Sequence, residues 1–235
     1  MQAVILAGGL GTRLRLVAQQ VPKVMVPVKG KPFLLHLLEL FKIQGINDVI
    51  LCIGYKGEQI KHFFGNGNRF GLRICYSEEK GELLGTGGAL KQAQGLLDRL
   101  FFVINGDTYL PISYGDIESY FTRCGKKALM VVYDNKEDTG VKNNVELNDN
   151  LMVIRYEKEK SDPNLRHVEA GVLVLSQEAL DFIERVHSVS LEAGLYPILI
   201  KQRELAAYTT KQRFYDIGTP EQLKTFEEYL QKELR

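Results

Sequence analysis

The sequence predicts an α/β fold built as a doubly wound, mostly parallel sheet within a single domain. Three observations lead there. Apolar runs alternate with helical apolar spacing through the first half. A glycine loop directly follows the first run, and the run at 101–105 ends in Gly106-Asp107. In open α/β sheets ligands gather beyond the carboxyl ends of the strands, and both the glycine loop and Asp107 fall at that edge.

Residues 2–7 are a short apolar run that stops at glycines, the pattern of a strand buried on both faces. Pro32 sits where a helix begins. Leu34, Leu37, Leu38 and Phe41 follow at i, i+3, i+4 and i+7, one apolar face that ends near Gly45. A strand at 48–54, a helix at 58–64, a strand at 72–77, a helix at 88–97 and a strand at 101–105 come next. This βαβα order argues for a Rossmann-like sheet. The second half is less regular. Residues 128–133, 141–147, 151–156 and 168–175 read as strands with few helices between them, either extending the sheet or forming a β-rich insertion beside it. A strand at 214–217 and a helix at 220–232 close the chain, with Thr219 as N-cap and Pro220 at N1. With no repeat, low-complexity segment or linker, residues 1–235 count as one domain.

A chain of 235 residues buries a substantial core in one domain. Its net charge of +1 implies neither a nucleic-acid groove nor a membrane-surface patch, so a local cluster must hold any anion. No apolar stretch approaches the ~20 residues that span a bilayer, and the opening run lacks the basic flank of a signal peptide. Cys52, Cys75 and Cys124 are widely spaced without metal-ligand pairing, and the first two fall in strand-like runs as small hydrophobes. A reduced, cytoplasmic setting is expected. His36, His62, His167 and His187 show no metal spacing and read as surface or packing residues; His167 stands out by lying two positions before Glu169.

The loop Gly8-Gly9-Leu10-Gly11-Thr12-Arg13 is not a Walker A motif, because no Gly-Lys-Ser/Thr follows. It fails the dinucleotide fingerprint too, with Leu14 where the third glycine belongs. What remains is a glycine turn whose N–H groups can face an anion, with Arg13 as a bidentate phosphate donor. Alone, it would serve equally well as a tight strand-to-helix turn.

The run LAGGLGTRL, followed by Pro22-Lys23, Val26-Pro27 and Lys31-Pro32, resembles the nucleotide-binding opening of sugar-1-phosphate nucleotidyltransferases. Four further segments keep that family's order: Leu84 to Ala89, Asn105-Gly106-Asp107-Thr108, the Glu-Lys region at 157–160, and Tyr215 to Pro220. The resemblance covers nearly the whole chain. It implies attack of a sugar 1-phosphate oxygen on the α-phosphorus of a nucleoside triphosphate, with Mg²⁺ on Asp107 and Asp216. Lys23 would reach the α-phosphate and Arg13 would steady the pyrophosphate. Leu6, Ala7, Gly8, Gly9, Gly11 and Thr12, with Gly85, Thr86, Gly87 and Gly88, would enclose the nucleotide, and Glu82 would assist at the base.

By the same resemblance the sugar phosphate falls to Asn105, Gly140, Glu157, Lys158, Glu169 and Gly171. Glu159-Lys160 repeats the dipeptide, so the register stays open between 157–158 and 159–160. Thr139 stands where an aromatic is usual, and Glu169-Ala170-Gly171 where Asn-Ala-Gly is typical. The chain would thus divide into a nucleotide half (about 1–110) and a sugar-phosphate half (about 111–235). The Ala7-Gly8-Gly9 opening resembles members that use GTP, ATP or CTP. The short length, with the LGTGGAL and YDIGTP runs, resembles guanylyltransferases acting on manno-heptose or mannose 1-phosphate. The resemblance therefore implies GTP and a manno-configured sugar phosphate, for cell-surface glycan synthesis. Alternatives are a uridylyl- or thymidylyltransferase on a hexose or amino-sugar 1-phosphate, or a catalytically silent nucleotide-sensing subunit. A metal-dependent glycosyltransferase would commonly carry Asp-x-Asp, which Asp107-Thr108-Tyr109 lacks. The expected partners are the two substrates, with no nucleic acid or membrane; a homo-oligomer is left open.

Overall fold

The computed structural model describes residues 1–9, 11, 21–158, 160–184 and 188–233. Strand β1 (Gln2–Leu6) leads, and a 3-10 turn at Lys23–Met25 enters a short hairpin of β2 (Pro27–Val28) and β3 (Lys31–Pro32). Helix α1 (Phe33–Ile43) begins one residue after Pro32, whose fixed φ and missing N–H suit a helix entry. It ends in a Schellman turn. Gly45 takes φ +77°, its N–H donates to the Lys42 carbonyl, and the Ile46 N–H donates to the Phe41 carbonyl at 2.9 Å. Leu34, Leu37, Leu38 and Phe41 are buried, as their spacing requires.

The alternation continues with β4 (Asp48–Ile53), α2 (Gly57–Phe64), β5 (Arg73–Glu78), α3 (Gly85–Gln92) and β6 (Leu100–Asn105). Then come β7 (Thr108–Tyr109), α4 (Tyr114–Cys124), β8 (Ala128–Tyr133), β9 (Val145–Leu147), β10 (Val153–Tyr156) and β11 (Val168–Ser176). The chain finishes with α5 (Leu191–Gly194), α6 (Tyr196–Lys201), β12 (Leu205–Thr210), β13 (Tyr215–Asp216) and α7 (Pro220–Glu233). Thr219 caps α7, its hydroxyl accepting the Gln222 N–H at 3.2 Å.

Seven strands form one sheet in the order β12-β8-β11-β6-β1-β4-β5. All neighbours are parallel except β11, which runs antiparallel to both β6 and β8. Alternate side chains feed two cores. Ala3, Ile5, Phe102 and Ile104 pack under α1, α2 and α4; Val4, Phe101 and Val103 pack under α3, α5 and α6. Each large apolar side chain so enclosed contributes about 1.5–3 kcal/mol. Burial on both faces is why these strands read as unbroken apolar runs.

Several expectations change. The helix placed at 88–97 begins at Gly85, turns 3-10 over Ala93–Leu96, and stops there. Its glycine-rich first turn holds because the Gly87 and Gly88 N–H groups both donate to the Val189 carbonyl, at 2.9 and 3.1 Å. That tertiary partner outweighs the poor helix propensity of glycine. The strand expected at 141–147 shrinks to β9, which pairs with β10 in a small hairpin outside the main sheet and bridges from Val145 to His167. Helices α4, α5 and α6 and strand β12 were not anticipated. So the second half does both things: β8, β11 and β12 extend the main sheet, while β9 and β10 stand beside it.

Candidate active site

The carboxyl ends of β1 and β6 open into a cleft of about 400 Å³. The two strands close tightly above it because Gly106 has no side chain. Its N–H donates to the Leu6 carbonyl at 3.0 Å, and a Cβ there would stand 2.5 Å from that oxygen. Leu6, Ala7, Gly8 and Gly9 form one wall, and Asn105, Gly106 and Asp107 form the floor.

Lys23 stands at the centre of the charge. It emerges from the 3-10 turn after Pro22, bonds the Asp107 carboxylate, and lies 3.8 Å from Asp216 Oδ1. The two aspartates, distant in sequence, meet because β7 pairs with β13, setting Asp216 opposite Thr108. The Ile217 N–H then donates to the Asp107 carbonyl at 3.1 Å. Only 13% of the Lys23 side chain is exposed, so this ammonium is shielded far more than a surface lysine. Gly11, at φ +60°, packs against the Lys23 stem. Leu10, Thr12 and Arg13 lie outside the described residues, as does His187.

The opposite wall carries a second polar cluster. The register of β11 against β8 shifts between Glu169 and Leu173, and Gly171 takes φ +70° in that irregularity. A Cβ on Gly171 would meet Thr108 Oγ1 at 2.7 Å, so glycine lets the bulge close on β7. The bulge turns Glu169 into the cleft. There its carboxylate accepts the Tyr196 hydroxyl at 2.7 Å and is also bonded by Tyr156. Burial pushes the Glu169 carboxyl above the ordinary range, partly offset by these two hydroxyls. Burial, with the nearby Glu169 charge, raises both tyrosines further, keeping them neutral donors. Asn144, buried, accepts the Glu169 N–H at 2.9 Å.

Lys158 pairs with Glu192 at 2.8 Å on the rim. Burial raises Glu192, but the Lys158 ammonium and local donors outweigh it, and its carboxyl ends below the ordinary range. Thr86 joins this group: its hydroxyl donates to Glu192 Oε2 at 3.5 Å and accepts the Leu191 N–H at 2.8 Å.

Several residues singled out by sequence therefore converge: Leu6, Ala7, Gly8, Gly9, Lys23, Gly85, Thr86, Asn105, Asp107, Lys158, Glu169, Gly171 and Asp216 all line one cleft. Others do not. Glu82 is exposed outside it, and the nearby acid inside is Glu79. Gly87 and Gly88 are taken up by the 188–190 backbone, not left open to a base. Gly140 lies in a neighbouring shallow depression. Glu157 faces Lys160 at 3.8 Å instead of the cleft, while Lys160 is exposed and Glu159 lies outside the described residues. Of the two lysines, Lys158 reaches the cleft. His167 does not line the cleft either. Glu79, Asn144, Tyr156, Glu192 and Tyr196 were missed, since none belongs to a short motif. Cys52 lies under the glycine wall with its thiol pushed up to about 12 by burial and by Glu79, and is chemically quiet.

In chemical terms, one side of this cleft sets an ammonium between two carboxylates beside a glycine loop. The two carboxylates are hard oxygen donors suited to a divalent cation, and among the described residues no third His, Cys, Asp or Glu completes a ligand cluster with them. No described helix is long and apolar enough to cross a membrane.

Comparison with known proteins agrees with the motifs and the cleft. A family model described as nucleotidyl transferase matches residues 2–233. The D-glycero-alpha-D-manno-heptose 1-phosphate guanylyltransferase of Campylobacter jejuni is 34% identical over 221 residues, covering 94% of this chain and 96% of its own. The protein of the same name from Aneurinibacillus thermoaerophilus is 33% identical, covering 98% of this chain and 99% of its own. The crystal structure of HddC from Yersinia pseudotuberculosis complexed with GMP-PN superposes with a TM-score of 0.82 at 29% identity, covering 97% of this chain and 99% of that one. With its match running from the first strand to the last helix, this chain belongs to the nucleotidyl transferase family.

Proposed function

We propose that this chain transfers a guanylyl group from GTP to a sugar 1-phosphate of manno-heptose or mannose type, releasing pyrophosphate. The observation that carries the reading is the meeting of Lys23, Asp107 and Asp216 beside the glycine loop. The choice of guanine and of a manno sugar is supported by the guanylyltransferase names of its relatives and by the GMP-PN bound to its structural neighbour.

The reaction needs alignment of two polyanions more than covalent chemistry. A phosphate oxygen of the sugar attacks the α-phosphorus, a new P–O bond forms, and the bond to the bridging oxygen breaks as pyrophosphate leaves. Lys23 would bond the α-phosphate, where charge builds in the transition state. Asp107 and Asp216 would hold Mg²⁺, which supplies neutralisation of phosphate charge with substrate oxygens and water completing its shell. Arg13 is assigned to the departing pyrophosphate. The Gly8-Gly9 wall presents backbone to the triphosphate, with Leu6, Ala7, Gly11, Thr12, Gly85 and Thr86 around the nucleotide.

On the other wall Lys158 is assigned to the sugar phosphate, and Asn105, Glu169 and Gly171 to the sugar. The bulge and its tyrosine clamp give this wall a fixed acceptor where an amide is usual in the family. The nucleotide half, about 1–110, and the sugar half, about 111–235, then share one sheet. A cytoplasmic setting belongs to this reading, because nucleoside triphosphates are its substrates.

Purified protein supplied with Mg²⁺, each of the common nucleoside triphosphates and a panel of sugar 1-phosphates tests it. Pyrophosphate release with GTP and a manno-configured sugar is expected. Turnover only with UTP or dTTP overturns the base assignment, and no turnover with any pair points to a silent subunit.

A further inference from the structure

Glu192 is out of place by charge. In a cleft that takes two phosphate-bearing substrates, Asp107 and Asp216 are spoken for by a cation, and a further carboxylate on the rim repels what must enter. Yet this carboxylate is firmly built in. Ser190 caps the short helix α5, its hydroxyl accepting the Ala193 N–H at 3.1 Å. That hydroxyl and the Glu192 N–H both bond the Glu192 carboxylate. Its two oxygens then divide: Oε1 accepts Lys158 Nζ at 2.8 Å, and Oε2 accepts the Thr86 hydroxyl at 3.5 Å. The Glu192 side chain is 24% exposed and that of Lys158 62%, so the acid is the fixed member of the pair and the lysine the mobile one.

The bridge joins opposite walls. Lys158 follows β10 on the sugar wall, where the Glu157 N–H donates to the Asn144 carbonyl at 2.9 Å. Thr86 lies in the first turn of α3, on the nucleotide wall. Its long contact with Glu192 does not act alone, because the 189–191 backbone ties α5 to that same turn. The Val189 N–H donates to the Leu84 carbonyl at 2.8 Å, the Val189 carbonyl accepts the Gly87 and Gly88 N–H groups, and the Leu191 N–H donates to Thr86 Oγ1 at 2.8 Å. The tip of Lys158 therefore takes its place from the nucleotide wall, although its base belongs to the sugar wall. A lysine stem by itself is flexible, with many rotamers to lose. An ammonium carries three donors, so a bond to Glu192 is compatible with bonds to a phosphate. In a reaction whose rate comes from alignment, that placement matters directly. We propose that Glu192 is a positioning residue: pinned to α3, it holds Lys158 so that the sugar phosphate meets the α-phosphorus in line. The inference deepens the guanylyl-transfer reading and rests on it.

The experiment separates kcat from KM, with GTP and Mg²⁺ saturating and the sugar phosphate varied. Glu192→Gln keeps the length of the side chain but gives up the charge that holds the ammonium. It should lower kcat by roughly tenfold or more. The KM for the sugar phosphate should stay level or fall, because a negative charge beside the phosphate has gone. Glu192→Asp keeps that charge but is one methylene short of bridging Lys158 and Thr86, so it should also lose about tenfold in kcat. In a Lys158→Ala background, Glu192→Gln should change kcat by no more than about twofold, since the group it acts through is gone. A raised KM with kcat intact would make Glu192 a reader of sugar hydroxyls, and the proposal falls. Full kcat in Glu192→Asp, or the same loss with and without Lys158, overturns it as well. The aspartate variant retains an acid in the first turn of α5, so it decides the matter even if Glu192→Gln does not fold. In those cases wild-type turnover still stands, whereas wild-type enzyme that ignores GTP overturns the function reading itself.

Discussion

The two walls of the cleft, one assigned under the proposed function to the nucleotide and the other to the sugar, are built in opposite ways. The nucleotide wall is mostly backbone: Gly8 and Gly9, the close Gly106 contact to Leu6, and Lys23 set between two aspartates. The sugar wall is mostly side chains on scattered elements: Tyr156 ends β10, Glu169 starts the β11 bulge, and Glu192 and Tyr196 come from α5 and α6. Charge is handled differently too. Lys23 is 13% exposed and locked to its acids, whereas Lys158 is 62% exposed on the rim. A triphosphate is the same in every nucleotide, so a fixed backbone cradle suits it. A sugar differs by the direction of single hydroxyls, which only side chains can read.

That contrast can be tested, beginning where the loss should be greatest. Asp216→Ala or Asp107→Ala should cut kcat by roughly a thousandfold or more while thermal unfolding still shows a folded protein. Steady-state pyrophosphate release measures it, and near-normal activity in either variant would remove that residue from the centre. Gly106→Ala attacks the backbone wall itself. Its Cβ would stand 2.5 Å from the Leu6 oxygen, so β1 and β6 must part. About 1–3 kcal/mol of stability should go with it, readable as a lower denaturant midpoint.

On the sugar wall, Lys158→Ala should raise the KM for the sugar phosphate about tenfold and leave the KM for GTP nearly unchanged. Equal effects on both substrates would dissolve the distinction between the walls. Tyr196→Phe leaves Glu169 Oε1 one donor short, at a cost of about 1–3 kcal/mol in stability, sugar KM or both. Chemical denaturation and kinetics together would divide that loss.

The smallest effect is one of pH. Burial raises Glu169 above its ordinary 4.5, so the folded protein holds that proton after the unfolded chain has released it. Native protein then binds more protons than unfolded between the two values, and this contribution to stability falls as pH rises through that window. Glu192, lowered by Lys158, acts with the opposite sign: its contribution is present above the ordinary value and is lost as pH falls through the folded one. In Glu169→Gln the first slope should vanish. Melting temperatures of ligand-free wild type and variant across the acid range would show the difference growing with pH, and parallel curves would contradict it.

The nucleotide wall was largely legible in the sequence, because its parts are short motifs at strand ends. Gly8-Gly9 follows one apolar run, Asp107 follows another, and a core strand read from burial places both at one edge. Lys23 and Asp216 came from the resemblance, since neither spacing nor period brings them together; the β7 to β13 pairing does that. The sugar wall was mostly hidden. Glu169 was named, but its tyrosine clamp and Glu192 sit in 156–196 with no fixed spacing from it. The sequence points to Glu82 where Glu79 is the acid in the cleft, because the register of the turn after β5 cannot be counted from sequence. Helix α4 is hard to read from the sequence although Tyr114, Ile117 and Phe121 keep helical spacing, since charged neighbours dilute the period. The glycines at 85–88 suggested a loop, and only the Val189 carbonyl makes them a helix.

The irregularity at Glu169–Gly171 carries a consequence for how such enzymes diversify. Residues in a ladder are constrained twice, by the hydrogen bonds on either side and by the core beneath. Residues in a bulge escape much of the first constraint while remaining anchored by the strands that flank it. Selection can therefore replace an asparagine with a glutamate there, recruit tyrosines from a distant helix to hold it, and obtain a new acceptor without rebuilding the sheet. Under the proposed function, such a change at the bulge would leave Lys23 and the paired aspartates untouched, so the sugar reader could be rewritten without disturbing the phosphate chemistry.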